Sequence, residues 1–280
     1  MPYRSAPYYI LATMVVIAVG FWPSYFSVAG SVPWQFHAHG VAATLWVGMV
    51  LAQSLLVHKH QLPLHRAIGA ASLTLFPFLI GGLFGIIDYT GKHYVEGGDP
   101  VRTMLGGSFA IGMAVAAAAY ATVFYRALKY RRKVWVHAGY MLSTPLILFE
   151  SPFSRILGTY VPGFMVTGPS TFDRILPGIL WSMALELVFI AALWLKFRDR
   201  ARPFLVAGVF IVAQMVTMGM APDWPWLNGL LVLIGRLPSA VVVMTGMAIG
   251  ALASWLGWQA GKQKTPARQE LAGSSAVSVA

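Results

Sequence analysis

Eight long apolar runs divide this chain, at residues 8–27, 38–57, 66–87, 103–125, 134–150, 175–195, 203–220 and 237–258, and the Lys and Arg between them fall on alternate connections. The hydrocarbon core of a bilayer is about 30 Å thick and needs about 20 apolar residues per helix, which matches runs of this length. Only helices and closed barrels satisfy their own backbone hydrogen bonds in lipid. These runs are too long and too uniformly apolar for barrel strands. The pattern predicts an all-α, polytopic membrane bundle of about eight transmembrane helices, with seven as the alternative. One bundle is expected over residues 1–260, followed by a disordered cytoplasmic tail at 261–280. Composition agrees, since 58% of residues are hydrophobic and only 10% are charged. A chain of that kind must turn most of its side chains to lipid or to itself.

Orientation follows from the basic residues. With the amino terminus cytoplasmic, that side receives Arg4, Lys59, Arg66, Arg126, Lys129, Arg131, Arg132, Lys133, Lys196, Arg198, Arg200, Arg202, Lys262, Lys264 and Arg268, which is 15 of 20. The opposite side keeps Lys92, Arg102, Arg155, Arg174 and Arg236. This is the positive-inside pattern, and it predicts both termini on the cytoplasmic side of a bacterial inner membrane. The net charge of +11 is thereby an orientation signal directed at anionic lipid, and no nucleic-acid partner is expected. Residues 227–258 exceed one crossing, and Arg236 and Pro238 interrupt them. They read as an interfacial segment followed by the last helix. A cleavable signal peptide is the alternative reading of the first run, given the small residues Ala29, Gly30 and Ser31.

Several chemistries are excluded by what is missing. The chain has no cysteine, which removes disulfides, thiolate metal sites, covalent haem attachment and cysteine nucleophiles. There is no HExxH pair, no GxSxG elbow and no glycine-rich phosphate loop before a Lys. The chemistry-bearing residues that remain are chiefly the seven histidines.

His39, Trp46, Gln53 and His60 recur every seven residues, so on one helix they form a single stripe that drifts about 20° per heptad. Gln53 is costly against lipid, so the stripe should face the interior, where a ring could lie along it. His65 and His137 open the third and fifth helices from the cytoplasmic side. Two imidazoles at similar depth on two helices suit the axial positions of a b-type haem. His65, Gly69 and Ser72, spaced i, i+4, i+7, leave a groove of small side chains beside the first imidazole. The bland reading places all of these histidines at the headgroup level, with Trp46 packing between helices. Glu186 is the one acid well inside a span and is a proton-relay candidate, or else a neutral, bonded carboxyl. Glu150 and Arg155 are expected to pair across Pro152 and order a long loop at 151–174.

The stretches FHAHG at 36–40, Trp46, Gln53, LHRAIG at 64–69, HAGYM at 137–141, Ser154-Arg155 and FRDRARP at 197–203 resemble a family of uncharacterised bacterial multi-pass membrane proteins with HxHG, LHRxxG and HxxxM motifs. That family usually reads His-Lys-Arg-Leu-Met at the third motif, and here Ala138 and Gly139 replace the basic pair. More distantly, a basic turn, a helix-opening His and a small-residue helix look like the transmembrane b-type cytochromes. That resemblance implies at most one haem b here, with electron transfer to or from a quinol or another redox partner. The rival expectation is a small-solute transporter, or an accessory subunit packing against a larger membrane complex.

Overall fold

A computed structural model describes residues 2–262, and the expected disordered tail lies almost wholly outside the described residues. The described residues are helical, with no strand among them. The helices are α1 (Ala6–Phe21), α2 (Trp34–His58), α3 (Leu62–Glu96), α4 (Pro100–Lys129), α5 (Val134–Tyr160), α6 (Ile175–Phe197), α7 (Arg202–Met220), α8 (Pro225–Arg236) and α9 (Ser239–Ala260). Five stretches are long and apolar enough to cross a membrane: Trp34–His58, Leu62–Glu96, Pro100–Lys129, Pro169–Asp223, which contains α6 and α7, and Ser239–Ala260. The turns after α2, α4 and α6 carry Lys59, Arg131, Arg132, Lys133, Arg198 and Arg200, with Arg66, Arg126, Lys129, Lys196 and Arg202 in the adjoining helix ends, and they mark one end of the bundle, called here the basic end.

The exterior is that of a lipid-facing bundle. Leu11, Val15, Val41, Leu45, Val188, Val209, Val216, Val241, Met244 and Leu252 are all exposed. A soluble monomer rarely exposes so continuous an apolar surface. Exposed Trp22, Trp34, Trp181, Trp194, Trp226, Trp255 and Trp258 supply amphipathic rings of the type that collect where lipid meets water.

Lipid tails are as apolar as leucine, so helix association in such a bundle depends on close packing and buried polar contacts. Helix α9 shows the first. Its buried residues are Val242, Gly246, Gly250, Ser254 and Gly257, a stripe of small side chains at helical spacing that lets α3 and α4 approach closely. A Cβ on Gly250 would stand 2.8 Å from Pro77 Cα, and one on Gly257 would stand 2.9 Å from the Tyr125 carbonyl oxygen. Asp88 shows the second. Its carboxylate is fully buried in α3, pairs with Lys92 and accepts from Gln35 Nε2 of α2 at 3.4 Å. Lys92 Nζ in turn donates to Ser239 Oγ at 2.7 Å and to the Leu237 carbonyl at 3.3 Å, which fixes the junction of α8 and α9.

At mid-height four helices meet in an aromatic layer. Trp46 lies 5.3 Å from Phe76 and 5.2 Å from Phe124, whose rings stack at 4.2 Å. All three are buried. Trp46 Nε1 donates to Thr144 Oγ1 at 2.9 Å, and the Tyr120 hydroxyl donates to the Thr144 carbonyl at 2.9 Å. Thr144→Val keeps the shape but leaves the indole N–H without a partner in a dry interior. The expected cost is about 1–3 kcal/mol. Unfolding in a graded denaturing detergent measures it, and a variant as stable as the wild type would mean that the bond contributes nothing.

Three expectations change. Helix α5 does not end near residue 150 but continues to Tyr160, with Pro145 and Pro152 inside it. The expected loop at 151–174 therefore begins only after Tyr160. The backbone at Pro152 packs closely on α1, where a Cβ on Gly20 would overlap the Pro152 carbonyl, and Phe149 stacks on Phe153 one turn away at 5.3 Å. Within this helix Arg155 makes no ion pair with Glu150. Its guanidinium donates to the Ser151 carbonyl and hydroxyl, each at 2.8 Å, and Glu150 accepts instead from Ser154 Oγ at 3.3 Å. The stripe on α2 also stops one residue type short. The helix ends at His58, and His60 sits in the following turn with a left-handed φ of 58°. Helix α8, with 12 residues, is too short to cross a bilayer at 1.5 Å per residue. It packs Leu227 and Leu231 inward as the segment ahead of the last long helix.

Candidate functional site: a histidine-lined cavity at the basic end

The α2–α3 turn and the α4–α5 turn lie side by side at the basic end, and between them is a cavity of about 630 Å³. His65, one turn into α3, and His137, one turn into α5, both line it, together with Gln53, Gly69, Ser72 and Met141. The two imidazoles are within electrostatic reach of one another. Gln53 Nε2 donates to the His65 carbonyl at 3.0 Å, so α2 holds the first turn of α3 in place. Pro2 also touches the cavity. The N-terminal segment is tied to this end because the Tyr3 hydroxyl donates to the Arg200 carbonyl at 2.6 Å.

The hydrogen bonds assign tautomers. A carbonyl oxygen only accepts, so an imidazole nitrogen within bonding distance of one must carry the proton. His137 Nδ1 lies 2.9 Å from the Ala127 carbonyl, which makes Nδ1 the donor and leaves Nε2 with a free lone pair. This is the orientation that a backbone carbonyl imposes on a metal-ligating imidazole. His58 repeats the arrangement. Its Nδ1 lies 2.6 Å from the Ser54 carbonyl, and its Nε2 is buried without a partner, as are His65 Nδ1 and Gln53 Oε1. His58 lines the same cavity but reads in the sequence as one more residue of the basic turn HKH. The only signal for it was its place one turn after Ser54, at the last residue of α2.

The cavity is strongly cationic. Arg66, Arg131 and Arg132 line it, and no carboxylate among the described residues does. Arg131 is held in position by donating to the Leu128 and Trp258 carbonyls, each at 3.0 Å, with its guanidinium 4.3 Å above the Trp258 ring. Burial, assisted by Arg132, lowers the Arg131 pKa, yet a guanidinium stays charged at any ordinary pH. No group of three or more His, Cys, Asp or Glu among the described residues is placed to hold a metal ion. A metal here therefore needs a ligand set that the chain does not supply alone.

The remaining sequence candidates are not in this cavity. Trp46 lies in the aromatic layer and lines neither this cavity nor the one at the opposite end. His39 lines a second cavity at the opposite end, about 21 Å from Gln53 along α2 at 1.5 Å per residue. Glu186 is buried on α6 with Oε1 unpartnered among the described residues. It is within electrostatic reach of Glu150 and Tyr120 and not beside His65 or His137.

Comparison of this chain with protein-family models, with curated proteins and with solved structures gave no match.

Tyr3 reports on closure of this end. Its ring meets Trp135, Phe197 and Phe204 edge-on at 5.1–5.4 Å, and burial pushes its phenol up to about 12 against the opposing pull of Arg200. The unfolded chain loses that proton near pH 10. The contact's contribution is therefore complete below pH 10 and is lost as pH rises through about 12. Thermal stability of the wild type should fall faster across that window than that of Tyr3→Phe. Parallel curves would show that Tyr3 titrates as in a free chain.

Proposed function

We propose that the protein is an eight-span membrane protein of a bacterial inner membrane, with both termini cytoplasmic, that holds one b-type haem in the basic-end cavity and passes electrons between a quinol or other redox donor and an acceptor. Membership of the family with HxHG, LHRxxG and HxxxM motifs belongs to the same proposal. The eight crossings are α1 to α7 and α9. The basic turns on alternate connections support an even number, and α5, with 27 residues, is about 40 Å long.

One observation carries the cofactor reading. His65 and His137 open onto a single cavity whose charged lining among the described residues is Arg66, Arg131 and Arg132. His65 and His137 would hold a haem b through their imidazole nitrogens, and Arg66, Arg131 and Arg132 would meet its propionates. His137 Nε2 is presented by the Ala127 carbonyl, and the orphaned atoms of Gln53, His58 and His65 mark an interior that is polar and incompletely paired. When bound, the haem supplies a one-electron redox centre. The chain's part is to present the two imidazoles, to neutralise the propionates through Arg66, Arg131 and Arg132, and to exclude water with the aromatic layer above. Glu186 is a proton-relay candidate through Glu150 and lies away from the ligand pair.

Transport is the second reading, and a specific feature favours it. Two cavities lie at opposite ends of α2 with the closed layer of Trp46, Phe76 and Phe124 between them, which is a layout that suits passage of a small solute. The reduced-minus-oxidised visible spectrum of protein purified in mild detergent separates the two. A Soret band that shifts on reduction in the wild type and is absent from His65→Ala and His137→Ala supports electron transfer. A colourless, folded wild type supports transport or a packing role in a larger complex.

A further inference from the structure

The second cavity, about 340 Å³, opens at the far end between α1, α2 and α5. Its walls are mostly apolar, with Ile17, Phe21, Phe36 and Leu148 among them, but two guanidinium groups also line it, Arg102 and Arg155, and no carboxylate among the described residues does. Arg102 is partly compensated, at 3.7 Å from Asp99 and with a donor 2.7 Å from Thr90 Oγ1. Arg155 forms no ion pair, since no carboxylate approaches within 4 Å of it among the described residues, although Glu150 is within electrostatic reach. Its bonded nitrogen donates to Ser151, and the guanidinium lies 4.6 Å over the Phe21 ring. The two arginines are within electrostatic reach of each other. The nearest acid on α5, Glu150, does not line the cavity and is engaged by Ser154. Beside them His39 Nδ1 is buried with no partner.

Two like charges half-buried in an apolar surrounding are costly. A lysine could escape by losing its proton, but a guanidinium cannot. The arrangement is relieved by an anion that accepts from both arginines, and a planar fork suits an oxyanion with two oxygens. The walls suit an aliphatic or aromatic body. Thr44, at the exposed rim of the cavity on the flank of α2, leaves an opening toward the lipid-facing surface. From this we infer that the far-end cavity binds an amphipathic oxyanion, with its carboxylate or phosphate between Arg102 and Arg155 and its apolar body against Phe21 and Leu148. The site is independent of the haem reading and stands or falls by itself.

Isothermal titration of the full chain in nonionic detergent with decanoate, and with decanol as the uncharged control, tests this site. Decanoate is expected to bind saturably at one per chain, at least tenfold more tightly than decanol, because a charge-assisted pair is lost in the alcohol. Arg155→Gln should weaken decanoate at least tenfold. Thr44→Trp, a change at an exposed position, should block entry, and so tests the cavity even where loss of Arg155 unsettles α5. Equal binding of decanol and decanoate, or unchanged decanoate binding in both variants, would overturn the inference. Phosphatidylglycerol as competitor distinguishes the sources. Displacement of decanoate supports the site and assigns it to a lipid phosphate, and no displacement supports it and assigns it to a carboxylate solute.

Discussion

Gly250→Val will fail to accumulate as a folded bundle, or will unfold at least 3 kcal/mol more easily than the wild type, an approximate figure at the upper end of what overpacking costs. The reason is local and specific. A Cβ at residue 250 meets Pro77 Cα at 2.8 Å and the Phe76 carbonyl at 3.2 Å, and these are backbone atoms that cannot rotate away. The clash separates α9 from α3 and opens the packed stripe of Gly246, Ser254 and Gly257. The matched control is Gly229→Ala on α8, where an added Cβ meets nothing within 4 Å. That change should be neutral or slightly stabilising, by about 0.5–1 kcal/mol, since alanine costs less backbone entropy than glycine in a helix. Equal yields and unfolding midpoints for the two variants would contradict the packing account.

The other large effect is at the basic-end cavity. His137→Ala should abolish haem binding outright, because the lone pair at Nε2 that the Ala127 carbonyl presents has no substitute on α5. His65→Ala should do the same from the α3 side. His58→Ala is the informative companion, since this residue lines the same cavity with its Nε2 free. The proposal expects it to retain a low-spin spectrum with two imidazole ligands. Retention of that spectrum in His65→Ala, with its loss in His58→Ala, would move the ligand from α3 to the end of α2.

The apolar runs made the helices and their order legible, because a segment of about 20 apolar residues leaves the backbone no alternative in lipid. The far ends were less so. Helix α3 runs to Glu96 and α5 to Tyr160, past residues whose polarity suggested a boundary. In α3 the charge of Asp88 is hidden by Lys92 and Gln35, which are partners that only the folded bundle supplies. In α5 the proline at 152 signals a break, yet the helix continues through it with its backbone packed against Gly20 of α1. The seven-residue recurrence on α2 correctly faced His39, Trp46 and Gln53 inward, but it carried no information on depth. His39 belongs to one cavity and Gln53 to another, with Trp46 buried between them. Spacing likewise brought out His65 and His137, while His58 escaped because its environment is made by a carbonyl one turn back and by the distant start of α5.

The most direct test is to produce the wild-type chain in cells supplied with haem, purify it as a monodisperse species, and measure haem per chain by conversion to the pyridine haemochrome. The account predicts close to one haem b per chain, with a reduced spectrum of the low-spin, two-imidazole type. A folded, monodisperse protein that carries no haem under those conditions would contradict it.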